Sequence, residues 1–277
     1  MVCGVVEVLE DLRVSLGRLS LLMGGAMPSH VPICARWMRL SEGPDAYVAT
    51  PSEAEPVATV VVGMELFGVA PWVQKVCERL AAAGYAAVAP DFYWREARRA
   101  DLGYDDAGRK EGFRLLGRLT REGVAADTAA ALAAGTELGA GPARAFAGFS
   151  LGGHLGILAA TVLPLDAVIS CYGGWTLDGG IQLAEPEPPL TPAGAQALAG
   201  HDTMVLGLVG GQDFLISADE WQRLGQRLEQ AGVRHELIDY PHAGHGFLCE
   251  DRPDSYDANA SEDAWERILK ALAQLPQ

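Results

Sequence analysis

The chain has 277 residues, 49% of them hydrophobic, which suits one α/β domain with a full core and excludes a disordered chain. A formal charge of −15 repels phosphate backbones and anionic lipid, so neither nucleic acid nor a membrane is an expected partner. Cys3, Cys34, Cys77, Cys171 and Cys249 are scattered with no Cys-x-x-Cys pair, which points to reduced cysteines and a cytoplasmic location rather than a disulfide framework.

No stretch is long enough to span a bilayer. The segment LSLLMGGA at 19–26 has some character of a leader, but Glu7, Glu10 and Asp11 stand where a leader carries basic charge. Residues 1–30 are therefore read as an extension outside the core, with Met27 an alternative start, and 31–277 as one domain. Residues 36–49 predict two short strands around a turn. Val57 to Val62 is apolar throughout, as in a strand covered on both faces. Pro71 opens a helix with Val73, Val76, Cys77 and Leu80 on one face, closed by Gly84. YAAVAPDF at 85–92 predicts a further buried strand. A polar loop over 93–107 and helices over about 108–120 and 122–135 follow.

The apolar run ARAFAGF then leads into Gly148-Phe149-Ser150-Leu151-Gly152 and the apolar stretch HLGILAATVL. Strand, sharp turn and helix around Gly-x-Ser-x-Gly is the pattern of a nucleophile elbow. The glycines are needed because side chains two before and two after the serine would strike the neighbouring strand and helix. Beyond it, 165–174 predicts a strand, and 175–200, with Pro186, Pro188, Pro189 and Pro192, a long loop over the strand ends. TMVLGLVGGQD at 203–213 is a strand, Ser217 and Glu220 a capping box for a helix over 218–231, and HELIDYP at 235–241 the last strand. Trp265, Ile268, Leu269, Leu272 and Leu275 mark the inner face of a C-terminal helix. The alternation predicts a mostly parallel sheet flanked by helices, the α/β-hydrolase arrangement, with reactive groups at the carboxyl ends of strands.

A serine nucleophile needs a base to take its proton, and the base needs an orienting carboxylate. After Ser150, the first acid at a strand end is Asp213, in Gly-Gly-Gln-Asp. The histidine after the last strand is His245, with Gly244 and Gly246 to let its loop fold over the nucleophile; His242 is the competitor. The Ser, Asp, His order is the one this fold uses. His242 and His245 have no cysteine or carboxylate at metal-ligand spacing, so no metal site is expected. Backbone N–H groups of Leu151 and, by position, Leu66 would hold an oxyanion.

Glu65-Leu66-Phe67-Gly68, the run Gly84 to Tyr93, Gly148-Phe149-Ser150-Leu151-Gly152-Gly153, Asp213 and Gly244-His245-Gly246-Phe247 together resemble the dienelactone hydrolase family (carboxymethylenebutenolidases), from about residue 36 to the C-terminus. The resemblance implies a hydrolase of enol-lactones or related esters with no metal or organic cofactor, with Ser150, Asp213 and His245 as triad, Leu66 and Leu151 as oxyanion donors and Glu65 beside the nucleophile, as a substrate-contacting or structural residue. Two features depart from the family pattern. Serine replaces the usual cysteine nucleophile. Of two arginines that hold a substrate carboxylate, Arg109, with Phe113, fits one place, while Cys249 occupies the other and Arg252 lies nearby. The expected substrate is a small ester or lactone, carboxylate-bearing if Arg109 serves as in the family. A carboxylesterase, thioesterase or acyltransferase on the same scaffold, or a binding protein that kept the fold, are the alternative readings.

Overall fold

A computed structural model of the chain describes residues 5–6 and 32–276 except 42, 182 and 186. The leader-like stretch at 19–26 and Met27 lie outside the described residues. The strands are β1 (Val5–Val6), β2 (Ile33–Arg39), β3 (Asp45–Pro51), β4 (Thr59–Gly63), β5 (Ala86–Pro90), β6 (Arg144–Phe149), β7 (Ala167–Cys171), β8 (Met204–Gly210) and β9 (His235–Tyr240). The helices are α1 (Pro71–Ala82), α2 (Asp106–Leu116), α3 (Arg121–Glu137), α4 (Leu151–Ala160), α5 (Pro192–Gly200), α6 (Ala218–Ala231) and α7 (Ala258–Leu272).

The strands form one sheet in the order β1-β2-β3-β5-β4-β6-β7-β8-β9. From β5 to β9 every pairing is parallel, and the first three strands add an antiparallel edge. The central strands have no polar face because helices cover both sides: every residue of β4, β5 and β7 is buried. Helix starts follow local chemistry. Pro71 opens α1, Asp105 accepts from the Gly108 N–H at 2.8 Å, and Thr120 from the Gly123 N–H at 3.0 Å.

Three expectations change. The loop predicted over 175–200 contains α5. Pro192, one of the prolines that suggested a loop, is in the first turn of that helix, capped by Thr191, whose hydroxyl accepts from the Gly194 N–H at 3.1 Å. Only half of the Ser217 capping box forms: the Glu220 N–H donates to Ser217 Oγ at 3.1 Å, while one Glu220 carboxylate oxygen is buried without a partner. Cys77, Cys171 and Cys249 are free and buried, but Cys34 is disulfide-bonded. No helix among the described residues is long and apolar enough to cross a membrane.

Candidate active site

The strand order puts β6 between β4 and β7, at the centre of the parallel sheet. The elbow after β6 is crowded from both sides. A Cβ on Gly148 would stand 2.0 Å from the Gly152 carbonyl oxygen, and one on Gly152 would stand 2.2 Å from the Gly63 carbonyl oxygen, at the end of the paired strand. Ser150 itself takes φ 53°, ψ −113°, a backbone state that a non-glycine residue adopts at a cost of about 1–3 kcal/mol. Packing of α4 against β6 and β7 imposes it, and the hydroxyl is lifted clear of the sheet.

There Ser150 Oγ lies 2.8 Å from His245 Nε2, and His245 Nδ1 lies 2.8 Å from Asp213 Oδ2. A carboxylate only accepts, so Asp213 holds the proton on Nδ1 and leaves the Nε2 lone pair facing the serine O–H. The other Asp213 oxygen accepts from the Leu215 N–H at 2.8 Å, and the side chain is wholly buried. The acid thus fixes both the imidazole and the turn after β8. His242 is exposed on the same loop. Of the glycines flanking His245, Gly246 takes φ +83°, which favours glycine, and a Cβ there would displace the Arg252 guanidinium, whose Nη2 would lie 1.9 Å away. A Cβ on Gly244 meets nothing.

Ser150 and His245 open into a cavity of about 400 Å³, also lined by Glu65, Leu66, Leu151 and Arg109. All seven residues singled out from the sequence except the buried Asp213 therefore face one space. The Leu66 carbonyl accepts from the Tyr93 hydroxyl at 3.0 Å, which steadies the loop that carries the Leu66 N–H. Arg109, on α2, is exposed and makes no ion pair among the described residues.

The sequence reading left Arg252 as a neighbour without a task. Its Nη2 lies 2.7 Å from Glu65 Oε1, with both side chains largely buried. Burial pushes the Glu65 carboxyl above its ordinary value, against the pull of Arg252 and His245. Burial is the largest influence on Arg252 and disfavours its charge, but the Glu65 carboxylate together with Tyr172 and Cys249 holds the guanidinium above its usual range. Tyr172 was also missed. It has φ 43°, is fully buried, and sets its ring edge-on to His245 at 5.2 Å. Phe67, Tyr104, Phe113, Trp175 and Phe214 form the aromatic part of the cavity wall. For Phe214 a signal was present: an aromatic ring directly after the acid, at the head of the apolar run Phe214-Leu215-Ile216.

A mostly parallel sheet flanked by helices, with Ser150, His245 and Asp213 brought together at its strand ends, is the α/β-hydrolase fold. The model of the dienelactone hydrolase family matches residues 45–275, and the chain belongs to that family. It is 34% identical over 232 residues to a provisionally assigned carboxymethylenebutenolidase of Escherichia coli K12, covering 83% of this chain and 82% of that protein. The crystal structure of a provisionally assigned dienelactone hydrolase from Klebsiella pneumoniae superposes with a TM-score of 0.76 at 31% identity, covering 87% and 99% of the two chains. A dienelactone hydrolase-like promiscuous phosphotriesterase from metagenomic libraries shares the fold, with a TM-score of 0.71 at 20% identity over 88% and 99%.

Proposed function

We propose that this member of the dienelactone hydrolase family is a serine hydrolase that cleaves a lactone or related carboxylic ester through an acyl-enzyme. The observation that carries the reading is the pair of 2.8 Å contacts from Ser150 to His245 and from His245 to Asp213. His245 Nε2 takes the Ser150 proton as Oγ attacks the carbonyl carbon. The oxyanion that forms is held by the N–H groups of Leu66 and Leu151, the latter at the first turn of α4 where backbone donors have no helical partner. The intermediate collapses, the acyl carbon–oxygen bond breaks, and the proton on Nε2 passes to the departing oxygen. In a lactone that oxygen stays tethered to the acyl chain; water then repeats the sequence and frees Ser150.

Arg109 contributes an uncompensated positive charge at the cavity mouth and would draw a substrate carboxylate. Glu65 cannot set the resting charge of a serine hydroxyl, which titrates far above the range a carboxylate could influence, so its task is to hold Arg252 and the loop of Leu66. The test is Ser150→Ala: a folded variant should lose about 10³-fold or more in kcat on an enol-lactone or simple ester, together with labelling by a fluorophosphonate probe. Retention of most activity by that variant would refute the role of Ser150.

A further inference from the structure

Among the described residues, two aromatic side chains are exposed: Phe113, at 37%, and Phe214, at 73%. Both line the same 400 Å³ cavity, although they come from different elements, α2 and the turn after β8. Exposing a large ring to water is unfavourable, and two such rings at one opening form an apolar surface that a ligand would cover. The placement of Phe214 is specific. Its neighbour Asp213 is anchored to the Leu215 N–H, so the ring is held at the mouth by the same acid that orients His245. The Phe214 ring meets the imidazole edge-on, 5.3 Å between centroids. It therefore covers the residue that returns a proton to the departing oxygen, and whatever is attached to that oxygen passes against it.

We propose that Phe214, with Phe113, forms an aromatic subsite for a planar aromatic group carried on the leaving-group oxygen of the substrate. The proposal rests on the hydrolase reading above and narrows its substrate to esters of aromatic alcohols. Flat rings gain from offset or edge-to-face contacts that a saturated ring of the same size cannot make. When the tetrahedral intermediate collapses, the bond from acyl carbon to leaving oxygen breaks, the electron pair goes to that oxygen, and the proton on His245 Nε2 follows it. The aromatic alcohol is then released from between the two phenylalanines.

The experiment compares benzyl acetate with cyclohexylmethyl acetate, whose leaving alcohols are similar in size and basicity, and measures direct binding of benzyl alcohol and cyclohexylmethanol to the wild-type protein. Expected are a kcat/KM at least about fivefold higher for the benzyl ester and a benzyl alcohol Kd lower by a similar factor, the order of magnitude of one or two aromatic contacts. Phe214→Leu, which keeps an apolar side chain at an exposed site, should bring both ratios toward one. Cleavage of both esters without an aromatic preference would overturn the subsite and leave the hydrolase reading standing. If neither ester is cleaved but benzyl alcohol binds preferentially through Phe214, the subsite stands and the hydrolase reading fails. Equal binding of the two alcohols would overturn the subsite whatever the activity.

Discussion

Arg252 lies 187 residues after Glu65 in the chain and places a guanidinium nitrogen 2.7 Å from its carboxylate, in the wall of the cavity that holds Ser150. Both charges are out of bulk water, so each depends on the other. Removing one partner of a buried pair costs about 3–5 kcal/mol because the remaining charge is left uncompensated. Glu65→Gln and Arg252→Met should each lower stability by about 2–4 kcal/mol, less than the full range because Arg252 keeps some exposure. The double variant should recover much of that loss, giving a coupling of more than about 1 kcal/mol in a denaturation cycle. Strict additivity would show that the pair does not stabilise the fold.

On the chemical side, Glu65→Gln keeps the shape of the side chain. If the carboxylate only holds Arg252 and the Leu66 loop, kcat/KM measured where the variant is folded should fall less than about tenfold. On a Ser150→Cys background the same change should matter more and should move the acid limb of the pH–rate profile, because a thiol titrates near pH 8.5 and responds to a neighbouring charge. Equal large losses on both backgrounds would show that the Glu65 charge takes part in the chemistry.

Arg109 is exposed, so solvent screening keeps its effect modest. Arg109→Ala should raise the KM of a carboxylate-bearing lactone by about tenfold and that of its neutral methyl ester by less than about twofold, as expected for one charge-assisted contact. Paired KM measurements decide it, and equal changes on both substrates would remove Arg109 from substrate selection.

His154 sits on α4 four residues after Ser150, wholly buried, donating from Nδ1 to the Gly174 carbonyl at 3.1 Å with Nε2 unpartnered. Burial lowers its pKa from 6.5 to about 4. The unfolded chain therefore binds a proton at a higher pH than the folded one. The stability that His154 permits is fully present above pH 6.5 and is lost as pH falls toward about 4, by about 3 kcal/mol in total. His154→Leu should flatten the stability–pH curve across that window. Unchanged slopes in urea titrations at pH 7, 5.5 and 4.5 would contradict this.

Gly148→Ala should cost about 3 kcal/mol or more or prevent folding, because its Cβ would meet backbone atoms on α4 that cannot move aside. Gly200→Ala, at the end of α5 with nothing within 4 Å of the new methyl, should be neutral or stabilise by up to about 0.5–1 kcal/mol. Thermal melts of the two variants separate the crowded elbow from an ordinary helical glycine.

Much of the frame is short-range and could be read from the chain alone. Buried parallel strands appear as unbroken apolar runs, as at β4 and β5, because both faces are covered. The elbow appears as glycines around Ser150: Gly148 is crowded by its chain neighbours Gly152 and Gly153, and Gly152 by the Gly63 carbonyl at the end of the paired strand. The order Ser150, Asp213, His245 follows the chain order of β6, β8 and β9, whose carboxyl ends the parallel sheet sets on one edge, and the 2.8 Å contacts between them come from the loops after those strands reaching over that edge. What failed locally was α5, where prolines outweighed a helix start that Thr191 and Pro192 also encode. Other features were decided by tertiary structure. Arg252 finds Glu65 because the loop after His245 packs against the turn after β4, a pairing set by strand order and by the room Gly246 leaves. Phe113 and Phe214 share one cavity for the same reason. Periodicity and turn chemistry report on neighbours a few residues apart, whereas an ion pair across 187 residues or a ring placed on an imidazole depends on which elements the completed sheet brings together.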